Sequence, residues 1–203
     1  MNQRYEGFFK IKKRDKLVNA AMEEFSQSQY ATSSLNAILE KAGMSKGGYY
    51  HHFKSKDDMF QCMCIFTQYI YQERIFKTID QEGADLLNRV RQYAMVQLQI
   101  MIEYPYFFEF LNYISSSPDM ESFPDILEEI NELHKKVLQC IFENINTNLL
   151  KYPEKSEEST QLVKYTLFGF SSLLNERLSA EEYMDNLEKM LQFLRFLLYK
   201  ERY

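Results

Sequence analysis

The sequence predicts an all-α fold of about nine helices, and three observations carry that expectation. Apolar residues recur at spacings of three and four along most of the chain, the period at which side chains share one face of a helix. Only 6 Gly and 4 Pro interrupt 203 residues, and no pair of segments alternates apolar and polar residues as paired strands would. Serines, aspartates and a proline stand where helices would begin, and glycine or proline where they would end.

In chain order, Leu17, Val18, Ala21, Met22 and Phe25 form a 3,4-spaced stripe, so residues 10–25 are expected to be an amphipathic helix, with a break over 27–32. Ser33 or Ser34 caps a short second helix through Leu35, Ile38 and Leu39 to Ala42. Gly43 then supplies the left-handed residue that ends it. Ser45 is a good N-cap for a third helix over 46–53, although Gly47 and Gly48 each weaken a helix by roughly 1 kcal/mol relative to alanine. Ser55, with Asp58 three positions on, opens a fourth helix through Met59, Phe60, Met63, Phe66 and Ile70. Further helices are expected over 85–104, stopped by Pro105, and over 106–114, stopped by three serines and Pro118. The last three are placed at 124–146, with Pro124 first, at 157–178, and from the capping box of Ser179 and Glu182 to about 199.

Charge is divided unevenly. Residues 1–56 hold ten Lys and Arg against five Asp and Glu, a net of +5, so an overall −5 leaves −10 on residues 57–203. A basic end on an acidic chain points to an anionic partner for that end alone. The odd cysteine count (Cys62, Cys64, Cys140) fits a reducing compartment. The first residues carry no apolar run of signal-peptide length, and no 18 apolar residues run together. A cytoplasmic protein with no membrane association is the expectation.

Two short helices joined by a tight turn at Gly43 make a helix-turn-helix, the arrangement that places a second helix in the DNA major groove. At roughly 100° per residue, Tyr49 and Phe53 share an inward face, while Gly47, Tyr50, His51 and Lys54 point outward. Glycines at 47 and 48 would let the backbone approach base edges closely. Lys46, at the helix start, is best placed to donate to guanine O6 or N7. Tyr50, His51, His52, Lys54 and Lys56 can donate to phosphates. Ser33, Ser34 and Ser45 add hydroxyls at helix N-termini, where anions are favoured. The basic stretch Lys10, Lys12, Lys13 and Arg14 is a further candidate for phosphate or minor-groove contact.

The runs from Lys16 to Phe25, from Ser33 to Ile38 and from Ala42 to Phe60, with Gly43, Ser45-Lys46-Gly47-Gly48 and Tyr50-His51-His52-Phe53-Lys54-Ser55-Lys56 at their centre, resemble the DNA-binding domain of the tetracycline-repressor (TetR) family. The resemblance covers about fifty residues; over 61–203 only the helical layout is similar. It implies a homodimer binding palindromic double-stranded DNA through residues 1–56. Residues 57–203 would be a ligand-binding and dimerisation domain whose small-molecule effector releases the DNA. Position by position, Ser33, Ser45, Tyr50, His52, Lys54 and Lys56 fall where the family contacts phosphates, and Lys46, Gly47, Gly48 and His51 where it approaches bases. Gly48 replaces the commoner Thr, Ser or Asn, and Tyr49 the usual Leu.

Other constellations carry less. His51 and His52 are adjacent and diverge by roughly 100° on a helix, without a Cys or Asp at ligand spacing, so no metal and no cofactor is expected. Cys62 and Cys64 are two apart and read as buried thiols, with redox or a protein partner as the alternative way of switching the regulator. His134 stands alone and no phosphate loop or nucleophile turn is present, so catalysis is not expected. A helical enzyme or lipid-binding module with an incidental basic end is the competing class. The aromatic cluster Tyr104, Phe107, Phe108, Phe110 and Tyr113, with Met95 and Met101, is the candidate pocket for an apolar or aromatic effector, cationic if Glu103 or Glu109 points inward. Tyr165, Phe168, Gly169, Ser172, Met190, Leu194 and Leu197 are the candidate dimer surface.

Overall fold

The computed structural model describes residues 8, 11, 14–80, 85–175 and 178–201. Lys10, Lys12 and Lys13 of the basic stretch lie outside the described residues. Nine α-helices occur among the described residues: α1 Arg14–Thr32, α2 Leu35–Ala42, α3 Lys46–His52, α4 Lys56–Thr78, α5 Leu86–Glu103, α6 Phe107–Ser116, α7 Pro124–Phe142, α8 Ser156–Ser171 and α9 Ala180–Leu198. The all-α fold expected from the sequence is the fold observed.

The helices form two compact units that do not follow chain order. One comprises the described residues of Met1–Tyr71 with Ile100–Leu133, the other Gln72–Gln99 with His134–Tyr203. The expected division at residue 56 is sequential; the first unit instead gathers the end of α5, all of α6 and the start of α7 around α1 to α4. Its core explains this. Leu17, Val18, Ala21, Met22 and Phe25 of α1 are fully buried, as are Phe60 and Phe66 of α4 and Phe107, Phe110 and Ile114 of α6. Phe25 meets Phe60 edge-on at 5.0 Å, a geometry that aromatic quadrupoles favour, and lies tilted against Phe110 at 6.3 Å. A polar seam flanks these rings. Asp15, Asn19 and Glu23, four residues apart on α1, accept from the Tyr104 hydroxyl (3.3 Å), donate to the Glu103 carbonyl (3.2 Å) and accept from the Tyr106 hydroxyl (3.0 Å).

α1 runs seven residues past Phe25, where a break was expected. The break is a kink inside it: Gln29 takes φ 62, ψ 161, a region that costs a side-chain-bearing residue on the order of 1–3 kcal/mol. α7 stops four residues earlier than expected, where Asn144 adopts φ 55. α8 ends at Ser171 and gives way to a 3-10 turn, Ser172–Asn175. There the Ser172 hydroxyl donates to the Gly169 carbonyl at 2.7 Å, a local bond that competes with continuation of the α-helical ladder.

In the second unit, Val163, Leu167, Tyr183 and Leu187 are fully buried, and Phe170 lies 4.8 Å from Tyr183. Arg89, only 2% exposed, donates to the carbonyls of Asp80 (3.2 Å), Cys140 (3.5 Å) and Glu143 (2.6 Å). Its charge thus sits at the C-terminal ends of α4 and α7, where helix dipoles favour a cation. Asp85 accepts from the amides of Leu87 and Asn88, from the Tyr199 hydroxyl (2.8 Å) and from Arg195 (3.2 Å). Burial alone would raise the Asp85 carboxyl, but the bonds from Tyr199 and Arg195 outweigh it and hold it below its ordinary value.

Two outcomes follow for stability. Gly43 occupies φ 62, so Gly43→Ala should lower unfolding free energy by about 1 kcal/mol in urea titration, despite the open space around it. A carboxyl held low when folded stabilises the fold above its unfolded pKa, and that contribution disappears as pH falls through the folded value. The Tm gap between wild type and Asp85→Asn should therefore be full at neutral pH and should close in acid below the ordinary carboxylate range.

Candidate nucleic-acid interface

α2 is built from both ends by its sequence. The Ser34 hydroxyl accepts from the Ala37 amide at 3.3 Å. The Glu24 carboxylate accepts from the Ser34 amide at 2.8 Å. Gly43 closes the helix in the left-handed region, with its N–H on the Glu40 carbonyl (3.1 Å) and the Met44 N–H on that of Leu39 (2.9 Å). This turn hands the chain directly to Ser45, whose hydroxyl accepts from the Gly48 amide at 3.1 Å and starts α3.

α3 is anchored by one face only. Tyr49 is fully buried and Phe53 nearly so, their rings stacked at 5.2 Å. The Tyr49 hydroxyl donates to the Ser55 carbonyl at 2.7 Å, tying α3 to the start of α4. On the other face Lys46, Gly47, Tyr50, His51, His52 and Lys54 are all exposed, Tyr50 to 60%. A Cβ at Gly47 would meet nothing within 4 Å, whereas one at Gly48 would lie 3.3 Å from the capping Ser45 hydroxyl. Gly47 is thus the open glycine and Gly48 the one fitted to the cap. The His51 and His52 rings meet edge-on at 4.9 Å. Burial, and then the neighbouring His51, hold His52 below the ordinary imidazole value.

Two expected phosphate contacts are engaged elsewhere. Ser33 is 7% exposed and its hydroxyl donates to the Tyr30 carbonyl at 2.8 Å. Lys56 donates to the carbonyls of Tyr30 (2.8 Å) and Ser33 (3.2 Å) and lies 4.8 Å over the Tyr30 ring. Both stitch the end of α1 to the start of α4, a role that sequence spacing could not show because the partners are carbonyls at a kink. Ser34, Ser45 and Lys54 remain on the exposed side. Of the basic stretch, Arg14 is described; it pairs with Asp15 at 2.9 Å and lies 5.5 Å over the Phe66 ring.

Of the expected effector-pocket residues, Met95 belongs to the second unit and the other six to the first. Tyr104, Phe107 and Phe110 are fully buried and Phe108 9% exposed; Met101 and Tyr113 are half-buried. The rings pack on one another, Tyr104 on Phe66 at 5.4 Å and Phe107 on Phe108 at 5.2 Å. Glu103 and Glu109 are exposed; burial, and then a hydrogen bond to the Glu103 carboxylate, hold the Tyr104 hydroxyl above the ordinary phenol value. A concavity of about 340 Å³ lies in the second unit, lined by Asp85, Asn148, Arg195, Phe196, Tyr199 and Lys200 among others. An isolated antiparallel bridge between Leu150 and Tyr199 draws its walls together, and nothing in the local sequence announces that pairing.

Of the expected dimer residues, Tyr165 (65%), Phe168 (47%) and Leu197 (41%) are exposed, as are Gly169 and Ser172; Met190 is half-buried. Leu194 is 4% exposed and belongs to the core of its own chain. Phe193 and Phe196, 62% and 69% exposed, were not singled out; with Leu197 they make a second i, i+3, i+4 row on α9, beside the core row of Leu187, Leu191 and Leu194. Cys62, Cys64 and Cys140 are all buried as free thiols, and burial pushes the Cys64 thiol up. Among the described residues, no group of three or more His, Cys, Asp and Glu is arranged to hold a metal, and no helix is long and apolar enough to cross a membrane.

Residues 17–63, which span α1 to the first turns of α4, match the family described as "Bacterial regulatory proteins, tetR family". The HTH-type transcriptional regulator UidR of Escherichia coli is 36% identical over 55 residues, 27% of this chain and 28% of UidR. The HTH-type transcriptional regulator YuxN of Bacillus subtilis is 25% identical over 170 residues, 82% of this chain and 55% of YuxN. The chain thus spans about a quarter to a half of these relatives' length. Among solved structures, the ketosteroid transcriptional regulator KstR2 of Mycobacterium tuberculosis superimposes with a TM-score of 0.61 at 16% identity, covering 94% of this chain and 96% of that one. A TetR family transcriptional regulator from Chloroflexus aurantiacus does so at 0.56 and 17%, covering 97% and 98%. The capped helix pair joined at Gly43 and the one-sided α3 thus lie within the segment that matches the tetR family of bacterial regulatory proteins, and the fold of the chain is similar to that of these solved regulators.

Proposed function

We propose that the chain is a sequence-specific DNA-binding regulator of transcription that acts as a C2 dimer and lets go of its operator when a small molecule binds. The observation that carries the reading is α3: its apolar side is fully spent on Tyr49 and Phe53, which leaves a basic and glycine-bearing side exposed. A short helix with that polarity fits a major groove, with Lys46 at base edges, Gly47 allowing close approach and Ser34, Ser45, Tyr50, His52 and Lys54 on phosphates. Residues 1–56 supply the DNA contacts and residues 57–203 the effector and partner contacts. Repression is the usual output of the family.

Exposed aromatic rows on α8 and α9 support a second copy of the chain as partner, because rings exposed to this extent are unusual on a monomer's surface. A dimer presents two α3 helices to half-sites about one DNA turn apart, roughly 34–36 Å. An effector shifts this state only by its differential affinity for the released one. The concavity at Asp85, Arg195 and Tyr199 and the aromatic cluster of α6 are both places for that effector. Buried thiols at Cys62 and Cys64 weigh against redox control, since a thiol shielded from solvent is out of reach of an oxidant. The likeness in fold is to transcription regulators and the match over residues 17–63 is to a family of regulatory proteins, which supports a regulator over an enzyme.

Three lysines separate the roles. Lys46→Ala should weaken binding to a selected duplex by about 1–3 kcal/mol and relax its sequence preference. Lys54→Ala should weaken all duplexes alike and reduce the salt slope by about one. Lys56→Ala should lower Tm, because the carbonyls of Tyr30, Ala31 and Ser33 each lose a donor. Unchanged gel shifts for both Lys46→Ala and Lys54→Ala would overturn the assignment of α3. In sedimentation, Phe196→Asp should shift the chain from dimer to monomer; a dimer that persists would place the interface elsewhere.

A further inference from the structure

The exit from α1 carries backbone strain without any contact to the proposed DNA face. Gln29 leaves helical geometry at φ 62, ψ 161, and the Tyr30 N–H swings off the helix axis. It donates to the Tyr113 hydroxyl at 2.7 Å and to Asp119 Oδ2 at 3.2 Å. Tyr113 in turn donates to the same Asp119 oxygen at 2.5 Å. Both acceptors come from the far side of the first unit: Tyr113 from α6, and Asp119 from the 3-10 turn Pro118–Ser122 that follows it.

The rest of Tyr30 is held from α4. Its carbonyl accepts from Lys56 Nζ at 2.8 Å and from Ser33, and its hydroxyl donates to Asp57. Its ring packs on Phe60 at 4.7 Å and on Phe123 at 5.7 Å. Three residues later the Ser33-Ser34 step begins α2, the first helix of the helix-turn-helix. One residue is therefore gripped by α6 through its amide and by α4 through its carbonyl and hydroxyl, at the point where the direction of α2 is set. A strained dihedral persists only where neighbours over-determine it, and here the neighbours that hold the amide belong to α6 and its turn.

We propose that Tyr113 and Asp119 are positioning residues for DNA binding: by capturing the Tyr30 amide they keep Gln29 kinked, and the kink aims α2 and α3. Released from that capture, Gln29 relaxes towards helical dihedrals, the Tyr30–Thr32 segment turns, and the recognition helix loses its register on the duplex. The latch also gives α6 a lever on the DNA-binding helices, since a shift of α6 that withdraws the Tyr113 hydroxyl has the same effect as deleting it.

The inference rests on the DNA-binding reading, and its test separates the two. The full chain first selects a duplex from a random pool. Tyr113→Phe, which keeps the ring contacts to Phe60 and Phe110, and Asp119→Ala are then measured by fluorescence anisotropy. Each should weaken the selected duplex about tenfold, the order of effect that losing part-buried hydrogen bonds of the latch carries, with affinity for a scrambled duplex unchanged because that depends on charge at the DNA face. Adding Gln29→Gly, which takes φ 62 without strain, should restore most of the loss in the Tyr113→Phe background. In the free protein, the Tyr30 amide should exchange faster with deuterium in Tyr113→Phe than in wild type. Failure of the wild type to select any duplex overturns the DNA-binding reading and this proposal with it. Wild-type affinity in both variants, or a loss that Gln29→Gly does not repair, overturns the latch alone.

Discussion

Everything proposed for α3 depends on the stacked pair of Tyr49 and Phe53. A seven-residue helix containing two glycines has too few hydrogen bonds to be stable by itself, so its geometry must come from packing. The pair supplies that packing, and the Tyr49 hydroxyl on the Ser55 carbonyl fixes α3 against the start of α4. Because the anchoring side chains all lie on one side, the opposite side is left without structural duty. That is the condition under which Lys46, Gly47 and His51 are available for a ligand.

The same logic separates functional from structural cations. Lys54 and Lys56 are two residues apart and look equivalent in a sequence. Their environments differ because the α1 kink turns the carbonyls of Tyr30 and Ser33 towards Lys56, while Lys54 has only its backbone N–H engaged, by Asp58 at 2.9 Å. Arg89 is the counterpart in the second unit, a fully committed guanidinium that joins the ends of two helices.

Local rules made much of this readable in advance. Caps at Ser34, Ser45 and Ser179, the left-handed Gly43 and the 3,4-spaced stripes depend on residues within one turn of each other; α2, α3 and α9 stand where those rules put them, and α1 alone runs well past its stripe. What escaped depends on partners far along the chain. The strain at Gln29 is invisible without Tyr113 and Asp119, some 85 residues away, and a glutamine carries no sign of left-handed geometry. Leu194 and Phe196 are both apolar residues on an amphipathic helix, and only the position of α9 decides which is core and which is surface. The aromatic cluster around Phe107 was legible as a cluster; whether rings in contact enclose a ligand is a matter of ångströms that composition does not encode.

Gly47 sits in open space with no neighbour to accommodate, so the free molecule gives no reason for it to lack a side chain. A library ranked by heat resistance would favour alanine there by about 1 kcal/mol, since alanine is the better helix former. On the proposed reading of α3, selection for thermal robustness and selection for occupancy of a regulatory site pull this position in opposite directions, and a stabilised variant of the protein would be made at the expense of its grip.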